Sequence, residues 1–99
     1  MLAAGDSRRI LKAMNSDKIK INVLLFGACR EIAGLGELNC DLTSPADVAG
    51  AWNEVKTRFP DLEKFERSAL FAVNEEHARK DRPLENGDTL AIFPPVSGG

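Results

Sequence analysis

The chain has 99 residues, of which 43% are hydrophobic and 28% are charged, a size and composition that fit one compact domain. Its formal net charge of −2 offers no clustered basic surface, so we expect no nucleic-acid partner. Its longest strongly apolar stretch, residues 23–26, is far shorter than the roughly 20 residues of a membrane-spanning helix, so we expect no membrane partner.

Residues with reactive side chains are few and scattered. The two cysteines, Cys29 and Cys40, do not form a C-x-x-C pair, and His77 is the single histidine, so we expect no metal site. Two free thiols are typical of a reducing compartment, which favours the cytosol. We interpret Cys29 as an inert thiol rather than a sulfur relay. No glycine-rich phosphate loop and no Ser/His/Asp or Cys/His set is present, so we expect no independent active site.

The first 17 residues contain few large apolar side chains, and we predict a flexible N-terminal extension over 1–17 and a folded domain over 18–93. The domain begins with an alternating segment that predicts a strand with one face in the core. The opposite face ends with Leu24 and Phe26, which must be covered by local chain or by a partner. The core-facing residues of this strand are Ile19, Ile21, Val23 and Leu25.

A loop over residues 27–36 and a second strand over residues 37–42 follow, with Cys40 facing the core. Ser44 is the predicted N-cap of the main helix, because Pro45 follows it at the first helical position and Asp47 lies three residues after it. Pro60 ends the helix. Its apolar stripe, which needs a sheet to pack on, consists of Val48, Trp52, Val55 and Phe59.

The second half of the domain contains two predicted strands and a short edge strand. Residues 69–74 predict an interior strand, residues 75–80 a short edge strand, and residues 89–93 the last strand. The order strand, strand, helix, strand, strand predicts an α+β fold, the ubiquitin-like β-grasp, with one main helix across a mixed sheet. A right-handed crossover then places the last strand parallel to the first in the middle of the sheet.

The six residues after the last strand form a predicted flexible tail over 94–99. Two prolines give a stiff exit, and two glycines give a thin end that suits a narrow channel. A carboxylate on such an arm can be adenylated and then attacked by a nucleophile. The residues of this tail are Pro94, Pro95, Val96, Ser97, Gly98 and Gly99.

Two segments resemble the MoaD family, the small sulfur-carrier subunit of molybdopterin synthase. Residues 84–99 resemble the end of that family, and residues 26–34 resemble its segment of aromatic-small-x-x-Arg-Glu-x-x-Gly. The resemblance covers roughly residues 18 to 99. The N-terminal extension falls outside it.

This resemblance implies a reaction cycle centred on Gly99. An activating enzyme consumes ATP to form an acyl-adenylate at Gly99, and a sulfur donor converts it to a thiocarboxylate. The tail then enters the large synthase subunit, where the sulfur passes to cyclic pyranopterin monophosphate and forms the molybdopterin dithiolene. The chain thus serves as the small subunit of a sulfurtransferase, binds nucleotide only as the adenylate and holds no permanent cofactor. The family also implies a heterotetramer of two small and two large subunits.

An apolar surface beside the tail is the predicted docking site for these enzymes. It consists of Leu24, Phe26 and Phe93, and Arg30 is predicted to pair with partner charges. Core packing is the competing interpretation for the three apolar residues, and capping of a surface loop is the competing one for Arg30.

Three other functions are compatible with the same pattern. One is a sulfur carrier for thiamine thiazole synthesis. Another is a ubiquitin-like protein modifier that forms an isopeptide bond through Gly99. The third is an interaction domain with an idle tail.

Overall fold

The computed structural model of the protein describes residues 18–95. The predicted extension 1–17 and the last four tail residues, 96–99, lie outside the described residues, and the predicted domain boundaries stay predictions. The described elements in chain order are β1 (Lys18–Leu25), α1 (Gly27–Ala33), β2 (Glu37–Thr43), β3 (Ala46–Asp47), α2 (Val48–Arg58), a 3₁₀ helix (Pro60–Phe65), β4 (Leu70–Val73), β5 (Glu76–Ala78), β6 (Pro83–Leu84) and β7 (Thr89–Phe93).

Five strands form one mixed sheet in the order β2-β1-β7-β4-β5, and β3 pairs with β6 in a separate two-stranded sheet. Strand β7 lies parallel to β1 and antiparallel to β4, in the middle of the large sheet. Strand β5 forms one edge, as predicted. The structure therefore confirms the predicted α+β architecture, the ubiquitin-like β-grasp, and the parallel pairing of the last strand with the first.

The core lies between α2 and one face of the large sheet. The predicted stripe of α2 is confirmed: Val48, Trp52 and Val55 are fully buried, and Phe59 packs against the core. The Trp52 ring meets Phe71 of β4 edge to face, with 5.5 Å between ring centroids. On the sheet side, the core consists of Ile21, Val23, Leu25, Cys40, Val73, Leu90 and Ile92.

The predicted start of the main helix is wrong. The N-cap is Asp47, whose carboxylate accepts a hydrogen bond from the backbone N–H of Gly50 at 2.9 Å, and not Ser44. Residues 46–47 pair instead with residues 83–84. The first helical N–H groups donate to carbonyls of a distant segment, Val48 to Arg82 at 3.0 Å and Ala49 to Lys80 at 2.9 Å. These long-range bonds satisfy the donors that a local N-cap would otherwise satisfy.

The predicted loop over 27–36 is also partly wrong, because it contains helix α1. Gly34 ends this helix with φ +79°, and its N–H donates to the Arg30 carbonyl at 2.9 Å. The side chain of Cys29 is fully buried and joins α1 to the core. Ile32 and Ala33 of the same helix also pack against the core. Tertiary packing therefore stabilises a helix that local propensity did not predict.

No helix in the described part of the chain combines the length and the apolar character needed to cross a membrane.

A charged cluster joins α2, the 3₁₀ helix and the segment after β5. The carboxylate of Glu66 accepts hydrogen bonds from Lys56, from Lys80 at 2.7 Å and from the Trp52 indole N–H at 2.8 Å. The bonds from Lys56, Lys80 and Trp52 lower the pKa of Glu66 to about 2. This pKa lies below the ordinary value, so the carboxylate stabilises the fold above about pH 4.5, and this contribution is lost as the pH falls towards 2.

We expect Glu66→Gln to lower the free energy of unfolding by about 1 kcal/mol at pH 7, because it removes the negative charge that Lys56 and Lys80 contact. The expected loss is small because Glu66 is partly exposed and solvent screens its charge. The difference from the unsubstituted protein should be markedly smaller at pH 2.5, which lies only just above the folded-state pKa of about 2. Urea unfolding at both pH values measures it. Glu63→Gln is the control, since the Glu63 carboxylate pairs with Lys56 at 3.1 Å and is mostly exposed. A difference that is the same at both pH values would contradict the assignment.

Candidate functional site

The root of the tail is the end of β7 in the middle of the sheet. Along β7 the side chains alternate, so that Leu90 and Ile92 are fully buried towards α2, while Thr89, Ala91 and Phe93 are half-buried on the opposite face. Pro94 and Pro95 follow directly. The central strand of the large sheet therefore leads straight into the tail.

The sheet face opposite α2 carries a shallow groove of about 550 Å³ next to this root. Its floor includes Leu24, Ala91 and Ala72, which lie side by side on β1, β7 and β4. Phe26 and Phe93 also line it. The structure thus brings the three predicted docking residues, Leu24, Phe26 and Phe93, to one surface. Their role in docking stays a prediction.

Phe26 is the residue of this surface that is most open to solvent, with 39% of its area exposed. Its ring stacks on Phe93 with 4.7 Å between centroids and an interplanar angle of 10°. Phe26 is therefore exposed and not packed in the core, whereas Phe93 is half-buried. An exposed aromatic pair in an apolar groove is the kind of surface that protein partners bury.

Arg30 lies on α1, close to the same surface. Its side chain is exposed and, together with Leu24, Phe26, Gly36 and Glu37, lines a second concavity beside the groove. Pairing of Arg30 with a partner carboxylate therefore stays a prediction. The geometry places the guanidinium where a partner bound in the groove can reach it.

Two features of the site were not predicted from the sequence. Gly27, with φ +55°, packs directly against Pro94 of the tail root. At the other end of the groove, Asn74 and Glu75 form the β4–β5 turn, both with positive φ. An Asn-Gly pair is the usual signal for such a turn, and glutamate at the second position carries no such signal.

Neither cysteine has the environment of a reactive thiol. Cys29 and Cys40 are both fully buried, and burial raises the pKa of each thiol. A thiol with a raised pKa is mostly protonated and is a poor nucleophile at neutral pH. The environment of Cys29 agrees with its interpretation as an inert thiol.

Within residues 18–95, no group of three or more histidine, cysteine, aspartate or glutamate side chains is arranged to hold a metal ion.

The predicted working group, Gly99, lies outside the described residues, together with Val96, Ser97 and Gly98. Their roles as tail insertion residues and as working group stay predictions, together with those of Pro94 and Pro95. The structure locates the point from which the tail departs.

A mixed five-stranded sheet crossed by one main helix, whose central strand leads into a C-terminal tail, defines a ubiquitin-like protein. The family model of the ThiS family matches residues 23–99. The chain therefore belongs to the ThiS family.

Relatives of this chain include molybdopterin synthase sulfur carrier subunits. The molybdopterin synthase sulfur carrier subunit of Arabidopsis thaliana is 32% identical over 89 residues, which cover 90% of this chain and 93% of that protein.

Two solved structures share the fold over most of the chain. A putative molybdopterin converting factor subunit 1 from Pyrococcus furiosus is 28% identical, with a TM-score of 0.71 over 79% of this chain and 99% of that one. SAMP1 from Haloferax volcanii, a small archaeal modifier protein, is 30% identical, with a TM-score of 0.74 over 81% of this chain and 99% of that one.

Proposed function

We propose that the chain is the sulfur carrier subunit of a molybdopterin synthase and that the terminal carboxylate of Gly99 is its working group. One observation carries this proposal: the central strand of the sheet passes through two prolines into a Gly-Gly tail, beside an exposed apolar groove. The similarity to a named sulfur carrier subunit, over 93% of its length, supports the same assignment.

The chemistry is that of an activated carboxylate. An oxygen of the Gly99 carboxylate attacks the α-phosphate of ATP, and pyrophosphate leaves. Sulfide from a donor then attacks the acyl carbon, AMP leaves with the bridging oxygen, and the product is a thiocarboxylate. The soft thiocarboxylate sulfur bonds to a side-chain carbon of cyclic pyranopterin monophosphate in place of an oxygen, and water then cleaves the acyl C–S bond, which leaves the sulfur on the pterin and restores the Gly99 carboxylate. A second loaded carrier supplies the second sulfur of the dithiolene.

The protein partners follow from this chemistry. The activating enzyme supplies the nucleotide site and consumes the ATP, while the large synthase subunit supplies acid–base groups and the pterin site. In our proposal, both partners dock on the groove formed by Leu24, Phe26 and Phe93, with Arg30 at its side, and receive the tail. Two small and two large subunits form the synthase, which acts as a sulfurtransferase in the cytosol. The small subunit itself holds no permanent cofactor or metal and binds neither nucleic acid nor membrane.

The mass of the C-terminal peptide tests the proposal. Incubation with ATP, an activating enzyme and a sulfur donor should add about 16 mass units at Gly99, because sulfur replaces one oxygen. The loaded protein, mixed with the large subunit and cyclic pyranopterin monophosphate, should then lose this mass. An unmodified Gly99 in the presence of an active activating enzyme would contradict the proposal.

A protein modifier is the second candidate, because the chain is also similar to SAMP1. It uses the same adenylation, but the acyl carbon ends in an isopeptide bond to a lysine of a target protein. A ladder of covalent conjugates with Gly99 at the branch point, formed without transfer of sulfur to the pterin, would favour this function.

A further inference from the structure

The turn after β1 holds the root of the tail through three contacts. The backbone N–H of Phe26 donates a hydrogen bond to the Ile92 carbonyl at 3.1 Å. The ring of Phe26 stacks on that of Phe93. Gly27 packs against the ring of Pro94 so closely that a Cβ atom on Gly27 would stand 2.9 Å from Cγ and 3.3 Å from Cδ. We call Phe26 and Gly27 the tail clamp.

The tail clamp is attached to the core and is not a free loop. Phe26 has an extended backbone, Gly27 reverses the chain with φ +55°, and α1 begins there. The N–H of Cys29 donates to the Phe26 carbonyl at 3.1 Å, and the Cys29 side chain is fully buried. Movement of the tail clamp would therefore disturb buried contacts, which keeps it in one position.

We infer that the tail clamp sets the direction in which the chain leaves β7 at Pro94 and that Gly27 is a positioning residue for sulfur loading. This inference rests on the proposed function. Docking on the groove and entry of the tail into an enzyme channel must occur together, and a tail root with a set direction loses less entropy when it enters. The side chain of any residue other than glycine would push Pro94 away from this position.

Gly27→Ala tests the inference, with Gly34→Ala as a matched control. Both glycines have positive φ, +55° and +79°, so alanine strains the backbone at either position. Only at position 27 would the new methyl group meet Pro94, because nothing lies within 4 Å of the corresponding point at Gly34. Backbone strain is therefore common to the two variants, and only Gly27→Ala adds a clash with the tail root, so a difference in loading reports the contact with Pro94.

We expect kcat/KM for thiocarboxylate formation to fall about threefold to fivefold further in Gly27→Ala than in Gly34→Ala. The loss should appear mainly in KM for the carrier, since the chemistry at the acyl carbon is unchanged once the tail is bound. Equal loading by the two variants would overturn the inference.

A double-mutant cycle with Pro94→Ala separates positioning from a direct clash with the enzyme. If Gly27 acts through Pro94, Gly27→Ala should have little further effect in the Pro94→Ala background. The same loss in both backgrounds would mean that the new methyl group meets the enzyme itself, and it would also overturn the inference.

Hydrogen exchange provides a measurement that does not depend on activity. The Phe26 amide, which donates to Ile92, should exchange faster in Gly27→Ala than in Gly34→Ala. If the unsubstituted protein is not loaded with sulfur, the proposed function fails, and this measurement still decides whether the tail clamp exists. Equal exchange in the two variants would show that it does not.

Discussion

Deletion of Gly99 is expected to abolish thiocarboxylate formation while the domain stays folded. The deletion moves the carboxylate back by one residue, about 3.5 Å of extended chain. Because a misplacement of about 1 Å at a reacting group can cost about 100-fold in rate, the loss should be at least about 100-fold. The core consists of side chains from α2 and the sheet, so the thermal midpoint should not change by more than about 1 °C.

Intact-mass spectrometry after incubation with ATP, the activating enzyme and a sulfur donor measures the loading. Glu63→Gln is the control, because Glu63 lies on the 3₁₀ helix and does not line the groove. This variant should load at close to the rate of the unsubstituted protein. If the deletion variant acquired sulfur at that rate, the carboxylate of Gly99 would not be the working group.

Phe26→Ala is expected to weaken binding of the large synthase subunit by about 10- to 30-fold. Phe26 exposes 39% of its surface at the mouth of the groove and stacks on Phe93. Aromatic residues at the centre of an interface commonly contribute about 2 kcal/mol to binding, which corresponds to about 30-fold in affinity. Titration calorimetry with the purified large subunit measures the change.

Leu35→Ala is the matched control for this prediction. Leu35 has almost the same exposure, 37%, but it lies between α1 and β2 and does not line the groove. Its replacement should change the affinity less than twofold. Urea unfolding of both variants shows whether each stays folded, since Phe26→Ala also removes the ring contact with Phe93. Equal losses of affinity for the two variants would place the interface outside the groove.

Much of the fold could be predicted from the spacing of apolar residues. Alternation along β1 and the stripe at Val48, Trp52 and Val55 each predicted one buried face, and the structure confirms both. Periodicity predicts such elements well because burial of apolar side chains is the main source of their stability. The parallel pairing of β1 and β7 followed from the handedness of crossover connections.

The elements that were predicted wrongly depend on contacts between distant residues. Helix α2 starts at Val48 because carbonyls of Lys80 and Arg82 accept its first hydrogen bonds. Helix α1 forms in a segment rich in glycine and alanine and packs Cys29, Ile32 and Ala33 on the core. Local rules for helix capping and helix propensity do not take these long-range hydrogen bonds and packing contacts into account.

The candidate site likewise contains residues that local patterns predicted and contacts that they did not. Leu24 and Phe26 were predicted as docking residues because apolar side chains stood on the outward face of β1, and Phe93 because it precedes the tail. The contact between Gly27 and Pro94 joins residues far apart in the chain, and no local pattern indicates it. The same holds for the stacking of Phe26 on Phe93.

The sequence by itself determined the β-grasp order of elements, the core stripe of α2 and the family resemblance carried by the tail, because periodicity, turn residues and motifs are local properties. Only the tertiary structure decided where α2 begins, that α1 exists and how the tail root is held. These features depend on hydrogen bonds and packing between segments that meet only after the chain has folded. No single stretch of residues contains both partners of these contacts.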